Sequence, residues 1–324
     1  MQAVILAAGK STRTYPLTIT KPKPMLKVAN KTLLEHNLDN LKDFVGEVII
    51  VVGYKKNLIK KHIRKKYKNL KIKYVEQKKQ LGTAHAVSLV EHYIKDRFIL
   101  LMGDNIYSKE DVKNCIKHRY AILTTKVKDP KNFGVVVEKN NILLNFIEKP
   151  RKFVSNLVST AFYVLDKKIF QYIKKIKKSE RKEFELPDAI KLMSNDEKIH
   201  IIKSKKWFPI VYAWDLLRTD RKLRNNKNVI GKNSKIYVKI KNSNVGNNCI
   251  IKGNIKNSII MDKAIIDENS LVENSVIGEN SYINGKIINS VIADNVKLRN
   301  TIVKNCRIWP NKIISNRLVQ KDAA

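Results

Sequence analysis

The residues best suited to chemistry gather near the start of the chain. Leu6-Ala7-Ala8-Gly9-Lys10-Ser11-Thr12-Arg13 is followed by Pro16-Leu17-Thr18 and by Pro22-Lys23-Pro24-Met25. Gly9-Lys10-Ser11 imitates the end of a P-loop, but the glycine required five positions earlier is Val4, so that reading fails. A small-residue loop such as Ala8-Gly9 at a strand end still exposes backbone N–H groups to phosphate. Arg13 and Lys23, on a proline-stiffened segment, are cations suited to stabilising charge on a triphosphate. The six histidines (36, 62, 85, 92, 118 and 200) form no cluster in the sequence, and none is assigned to catalysis.

The elements that must position these residues fall into two halves with different periods. Up to about Asn225, apolar strands alternate with amphipathic helices. Ala3–Leu6 is a strand, and Leu33–Phe44 carries a helical stripe at 33, 34, 38, 41 and 44. Glu47–Val52 is a buried strand ending at Gly53, and the lysine-rich run Lys55–Lys68 has helical spacing. Lys71–Val75 is a strand, Thr83–Ile94 a helix, and Phe98–Met102 a buried strand closed by Gly103. This alternation predicts a Rossmann-like, doubly wound, mainly parallel sheet, whose ligands bind beyond the carboxyl ends of the strands. After Asn225 the helical period stops. Ile230-Gly231-Lys232-Asn233-Ser234 recurs as Val245-Gly246-Asn247-Asn248-Cys249, Ile266-Asp267-Glu268-Asn269-Ser270, Ile277-Gly278-Glu279-Asn280-Ser281 and Ile292-Ala293-Asp294-Asn295-Val296. Such self-similarity predicts a left-handed parallel β-helix of hexapeptide repeats, with the aliphatic residue inside and Asn in the left-handed turn. The expected domains are 1–225 and 226–324.

Bulk properties narrow the class. The chain has 324 residues, 43% of them hydrophobic, which fits two globular domains and excludes disorder. No run approaches the ~20 apolar residues that cross a bilayer, and the start lacks a basic leader, so a cytoplasmic protein is expected without a membrane partner. Cys115, Cys249 and Cys306 have no metal-ligand spacing and read as reduced thiols. The net charge of +36 invites a nucleic-acid reading. Lysine is spread along the whole chain, however, and the densest run is a solvated helix face. No specific nucleic-acid partner is expected, and the charge favours encounter with anions.

The N-terminal segment resembles the signature of the sugar-1-phosphate nucleotidyltransferases, Gly-x-Gly-Thr-Arg followed by Pro-Lys-Pro, and the likeness continues in family order over nearly the whole chain. It implies that Ala8 and Gly9 bind nucleotide while Arg13 and Lys23 are catalytic. Glu76-Gln77 with Leu81-Gly82-Thr83-Ala84 is similar to the segment that recognises uracil or thymine, implying nucleotide contacts from Gln77, Gly82 and Thr83. Gly103-Asp104-Asn105 resembles the family's metal site and implies an Asp104 ligand to Mg²⁺. Asn132-Phe133-Gly134-Val135-Val136 and Glu148-Lys149-Pro150 resemble the sugar-contacting loop and the Glu-Lys pair. They imply sugar-phosphate binding by Gly134, Glu148 and Lys149, and the segment Val158–Tyr163 implies it for Ser159, at the family's Asn position. Each motif also has an ordinary structural reading: Gly9 and Gly103 as turn glycines, Asp104 as a helix cap, Gln77 as a surface residue.

The implied activity joins a sugar 1-phosphate to a nucleoside triphosphate, releasing pyrophosphate. UTP or dTTP with glucose 1-phosphate or N-acetylglucosamine 1-phosphate fits best. The sugar phosphate is already an anionic nucleophile, so in-line attack on the α-phosphorus rests on positioning and electrostatics. Three motifs depart from the family pattern. Ser11 replaces a glycine, Ser159 and Ala161 stand where Asn-x-Gly is usual, and Pro209 stands at the second metal-binding Asp of Trp-x-Asp-x-Gly. Pro209 keeps open an alternative: a catalytically silent regulatory or scaffold relative, like subunits of the translation-initiation nucleotide-exchange factor. The retained Arg13, Lys23, Asp104, Glu148 and Lys149 favour the enzyme. Acetyl transfer by the β-helix would need a histidine there, yet the last one is His200. The β-helix is expected to serve assembly as a homo-oligomer, through faces such as Ile308-Trp309-Pro310, and Asp215 to be structural.

Overall fold

A computed structural model describes residues 1–323. The chain forms two compact units, Met1–Gly9 with His36–Pro209, and Lys10–Glu35 with Ile210 onward. They are not consecutive stretches of sequence.

The first unit is built on a mixed sheet of ten strands among the described residues. Four strands pair in parallel in the order Phe98–Met102, Gln2–Ala7, Glu47–Val52, Leu70–Glu76. All the residues of Gln2–Ala7 are buried, as the near-continuous apolar run requires of a strand covered on both faces. Beyond Phe98–Met102 the long strand Leu157–Leu165 joins antiparallel and pairs on its other side with Ala121–Lys126. Gly134–Lys139 and Ile142–Glu148 form an antiparallel hairpin at the far end of the sheet. The sheet is therefore parallel where it carries the strand-end glycines and mixed beyond them.

Three helices are shorter than their periodicity suggests, the first running over Leu33–Leu41 and stopping before Phe44. The lysine-rich run is helical only over Lys56–Ile63, because Arg64 turns to φ 61° and Lys66–Tyr67 pairs back on Leu70–Glu76. Burial of Leu70 in that hairpin outweighs helix propensity. Thr83–Ser88 is α-helical, and the expected continuation to Ile94 is a separate 3₁₀ turn at Glu91–Tyr93. Asp104 caps no helix; the following helix, Lys109–Cys115, is capped by Ser108, whose hydroxyl accepts the Asp111 N–H at 3.1 Å.

The second unit is a parallel β-helix. Asn244, Ile259, Val276, Val291 and Arg307 stack in one register, each 15 to 17 residues after the last, slightly short of three full hexapeptides. Asn233, Asn248, Asn269, Asn280 and Asn295 all adopt positive φ, the conformation their position in the repeat predicts. Their side chains also ladder between coils, Asn295 donating to Asn311 at 3.0 Å. Inside, Val245, Ile266, Ile277 and Ile292 are fully buried, while Ile230 in the first coil is 50% exposed because no coil precedes it. Buried serines form a second column: Ser258, Ser275 and Ser290 each accept a backbone N–H from the next coil. Ile308 is fully buried in this core, so the expected assembly face cannot include it. Cys115, Cys249 and Cys306 are free and buried. Asp215 opens the helix Asp215–Leu223 and accepts the Val211 and Tyr212 N–H groups, as a structural residue.

Candidate active site

Parallel register brings four strand ends of the first unit to one edge. Ala7 lies opposite Val52, Val52 opposite Glu76, and Leu6 opposite Met102. The residues that follow are cross-linked by backbone bonds. Gln77 N–H donates to Val52 O at 2.8 Å, Tyr54 N–H to Ala8 O at 3.0 Å, and Gly103 N–H to Leu6 O at 2.9 Å. Gly53 permits this convergence, since a Cβ there would lie 2.8 Å from the Ala8 carbonyl oxygen. Gln80, a residue the sequence motifs do not single out, donates to the same Ala8 oxygen at 2.7 Å. Gly9 itself is exposed.

Gln77 is buried, with its amide nitrogen 3.3 Å from the Gly82 carbonyl oxygen and 3.1 Å from His85 Nδ1. Burial lowers the His85 pKa and favours the neutral ring, which then accepts from the amide and fixes its orientation. Gly82 has φ +109°, and a Cβ would meet the Phe184 carbonyl oxygen at 2.4 Å. The turn is pinned there, with Ala84 N–H donating to Phe184 O and Thr83 Oγ1 accepting the Leu186 N–H at 3.0 Å. An amide side chain beside a rigid glycine turn at a strand end has the hydrogen-bonding chemistry to read the edge of a planar base.

Asp104 leaves the end of Phe98–Met102, partly exposed. The strand pairing Phe208–Pro209 with Asn105–Ile106 sets Pro209 opposite Asn105. The position that departs from the family pattern therefore sits next to Asp104 in space and offers no donor side chain. Among the described residues no group of three or more His, Cys, Asp or Glu is arranged to hold a metal. One carboxylate still fits a cation that takes most of its ligands from phosphates and water, as Mg²⁺ does.

A cavity of about 340 Å³ is lined by Glu148, Lys149, Arg181, Glu185 and Asp188, among others, and Glu185 stands between Phe184 and Leu186, which pin the Gly82–Ala84 turn. Gly134 pairs with Glu148, and a Cβ on Gly134 would come within 3.0 Å of Glu148 Oε2 and 2.7 Å of Phe146 Cε2. Lys149 Nζ lies 3.6 Å from Glu148 Oε1, and Lys149 N–H donates to Phe133 O. Burial pushes the Glu148 carboxyl above its ordinary value, against the pull of Lys149 and Arg181. Arg181 lies 3.4 Å from Glu148 and also pairs with Glu185. Sequence reading misses Arg181, since it stands 33 residues from Glu148 in a stretch without periodicity. Ser159 is buried with its hydroxyl engaged locally, donating to Tyr163 Oη at 3.1 Å and accepting the Ala161 N–H. Ala161 takes the left-handed conformation, φ 59°, at the position where the family usually has glycine.

Arg13 and Lys23 belong to the second unit. Arg13 is exposed on a 3₁₀ turn whose Ser11 carbonyl accepts from both Thr14 and Thr18 hydroxyls. Lys23 is 5% exposed, between Pro22 and Pro24.

A mainly parallel α/β sheet with glycine turns at its strand ends defines a doubly wound fold, the class that binds ligands beyond those ends. The nucleotidyl transferase family profile matches residues 2–224, and that of the GMPPB C-terminal domain matches residues 221–323. The chain is 37% identical over 270 residues to the bifunctional protein GlmU of Methanococcus maripaludis, covering 82% of this chain and 62% of that one. It is 40% identical over 202 residues to the UTP–glucose-1-phosphate uridylyltransferase AglF of Haloferax volcanii, covering 60% and 83%. The solved structure of a putative glucose-1-phosphate thymidylyltransferase from Bacillus anthracis aligns with TM-score 0.62 at 27% identity, covering 69% and 96%. The chain belongs to the nucleotidyl transferase family. It spans about three fifths of the length of the GlmU relatives it matches. Among the described residues no helix is long and apolar enough to cross a membrane.

Proposed function

We propose that this chain is a sugar-1-phosphate nucleotidyltransferase, forming an NDP-sugar and pyrophosphate from a pyrimidine nucleoside triphosphate and a sugar 1-phosphate. The observation that carries the reading is the pairing, within one unit, of a base-reading edge at Gln77 and Gly82 with a Glu148–Lys149–Arg181 cavity suited to a sugar phosphate. Relatives named as uridylyl- and thymidylyltransferases support it. Gln77 and the Gly82 turn, with Thr83 behind them, select uracil or thymine by hydrogen bonds along the base edge. In the first unit the N–H groups near Ala8 and Gly9 are suited to a phosphate, and in the second Arg13 and Lys23 are cations suited to triphosphate charge. Glu148 accepts from sugar hydroxyls, and the absence of a side chain on Gly134 makes room for the Glu148 carboxylate and the Phe146 ring. Lys149 and Arg181 hold the sugar phosphate, and Ser159 supports them by fixing Tyr163. Asp104 would hold Mg²⁺, which supplies neutralisation of the phosphates. The nucleophile needs no proton removed, so the chain's task is to align it with the α-phosphorus and stabilise the leaving pyrophosphate. Self-association through the β-helix is part of the proposal, with Tyr237, 61% exposed, as a candidate contact.

The test is pyrophosphate release over a matrix of triphosphates and sugar 1-phosphates with Mg²⁺. UTP or dTTP should outcompete ATP and GTP, and Asp104→Asn should remove most activity at nearly unchanged Tm. A wild-type chain silent across the whole matrix would refute the enzyme and favour the scaffold alternative, which Pro209 beside Asn105 motivates.

A further inference from the structure

The segment Lys10–Glu35, which carries Arg13 and Lys23, lies in the same compact unit as the β-helix, and polar contacts hold it there. Lys27 Nζ is 2.5 Å from Asp262 Oδ2. Lys21 Nζ is 2.6 Å from Glu279 Oε1 and 3.0 Å from Asp294 Oδ2, and Thr20 donates to the same Asp294 oxygen. Asn30 donates to the Val245 carbonyl at 2.7 Å, and Ala29 N–H to Asp220 Oδ1 at 2.8 Å.

The three carboxylates occupy equivalent places on successive coils. Asp262, Glu279 and Asp294 each stand two residues beyond Ile260, Ile277 and Ile292, which stack in register. Asp262 and Asp294 are also aimed by the preceding coil. Oδ1 of Asp262 accepts the Asn247 N–H at 3.0 Å, and Oδ1 of Asp294 the Glu279 N–H at 2.8 Å, leaving Oδ2 to the lysine in each case. Lys21 and Asp294 are 8% and 5% exposed, so their attraction is poorly screened. Lys21 precedes Pro22-Lys23-Pro24, where the prolines stiffen the backbone and transmit its position to Lys23.

We propose that Asp262 and Asp294 are positioning residues for triphosphate binding, acting through Lys27 and Lys21 to hold the Arg13- and Lys23-bearing segment on the β-helix. The β-helix then serves the reaction as well as assembly and stability, its expected tasks. This rests on the reading of Arg13 and Lys23 as triphosphate ligands.

The test uses the intact chain with Asp262→Asn and Asp294→Asn combined; Asn retains Oδ1 for the coil backbone and removes the charge. UTP affinity by calorimetry should fall about tenfold, with KM for the sugar 1-phosphate within about twofold of wild type. Amides of residues 10–26 should lose hydrogen-exchange protection. The exchange pair Lys27→Asp with Asp262→Lys should recover most of the affinity that either single change loses, which a general loss of stability would not permit. Unchanged UTP affinity, or equal weakening of both substrates without rescue by the exchanged pair, would overturn the proposal alone. A wild-type chain that binds no UTP would overturn it together with the functional reading beneath it.

Discussion

Gly134→Ala probes the sugar side of the site most directly. The added methyl would sit 2.7 Å from Phe146 Cε2 and 3.0 Å from Glu148 Oε2, against ordinary carbon contacts of roughly 3.5–4.0 Å. Phe146 is 1% exposed and packs at 6.5 Å, centroid to centroid, against Tyr163, so its ring has little room to retreat. Overpacking of this kind costs about 1–3 kcal/mol, and a central value of about 2 corresponds to a fall of roughly 4–8 °C in Tm for a unit of this size. The freer neighbour is the Glu148 carboxylate, and the strand moves with it. A displacement near 1 Å at a substrate-positioning group costs about 10²-fold in kcat/KM. Steady-state kinetics should show that loss for the sugar 1-phosphate, with KM for UTP little changed because the added methyl meets Phe146 and Glu148 rather than Gln77 or Gly82. Phe146→Leu added to Gly134→Ala removes the ring edge and should return part of the lost Tm. If Gly134→Ala kept both its Tm and its sugar kinetics, Glu148 would not be held as described and its assigned contact with sugar would fall.

Two further expectations follow from buried carboxylates. Asp220 and Arg224 pair at 2.6 Å with side chains 1% and 2% exposed, and Asp220 also accepts from Ala29 and Asn244; Asp220→Ala should cost about 3–5 kcal/mol in denaturant unfolding. A loss under about 1 kcal/mol would show that the network is not load-sharing, whereas Asp220→Leu with Arg224→Met should be far milder than the single change. Glu148, raised by burial, behaves oppositely to a paired surface acid: its ionised form is disfavoured by folding, a cost present above its folded pKa and lost as pH falls below the ordinary carboxylate value. Glu148→Gln should therefore match or exceed wild-type Tm at pH 7, converge with it towards about pH 4, and still lose sugar-phosphate affinity; a lower Tm at pH 7 would refute the sign.

Elements whose physics is local were legible from the order of residues alone. Gln2–Ala7 and Phe98–Met102 read as buried strands because continuous aliphatic runs bounded by glycine leave few alternatives. The β-helix was legible because every coil repeats one demand, an inward aliphatic residue and an Asn that tolerates positive φ. Motif order likewise marked Gln77, Gly82, Asp104, Glu148 and Lys149. Other features depend on residues far apart in the chain and emerge only on folding. Lys56–Ile63 stops early because Leu70 gains more from the sheet than the lysines gain from another turn. Arg181 reaches Glu148 across 33 residues, and Pro209 comes beside Asn105 only through strand pairing. The grouping of residues 10–35 with the coils turns on contacts such as Thr20 to Asp294, separated by 274 positions. No periodicity encodes such a partner, because a single charge pair has no repeat; its energy is realised only once two independently formed surfaces meet.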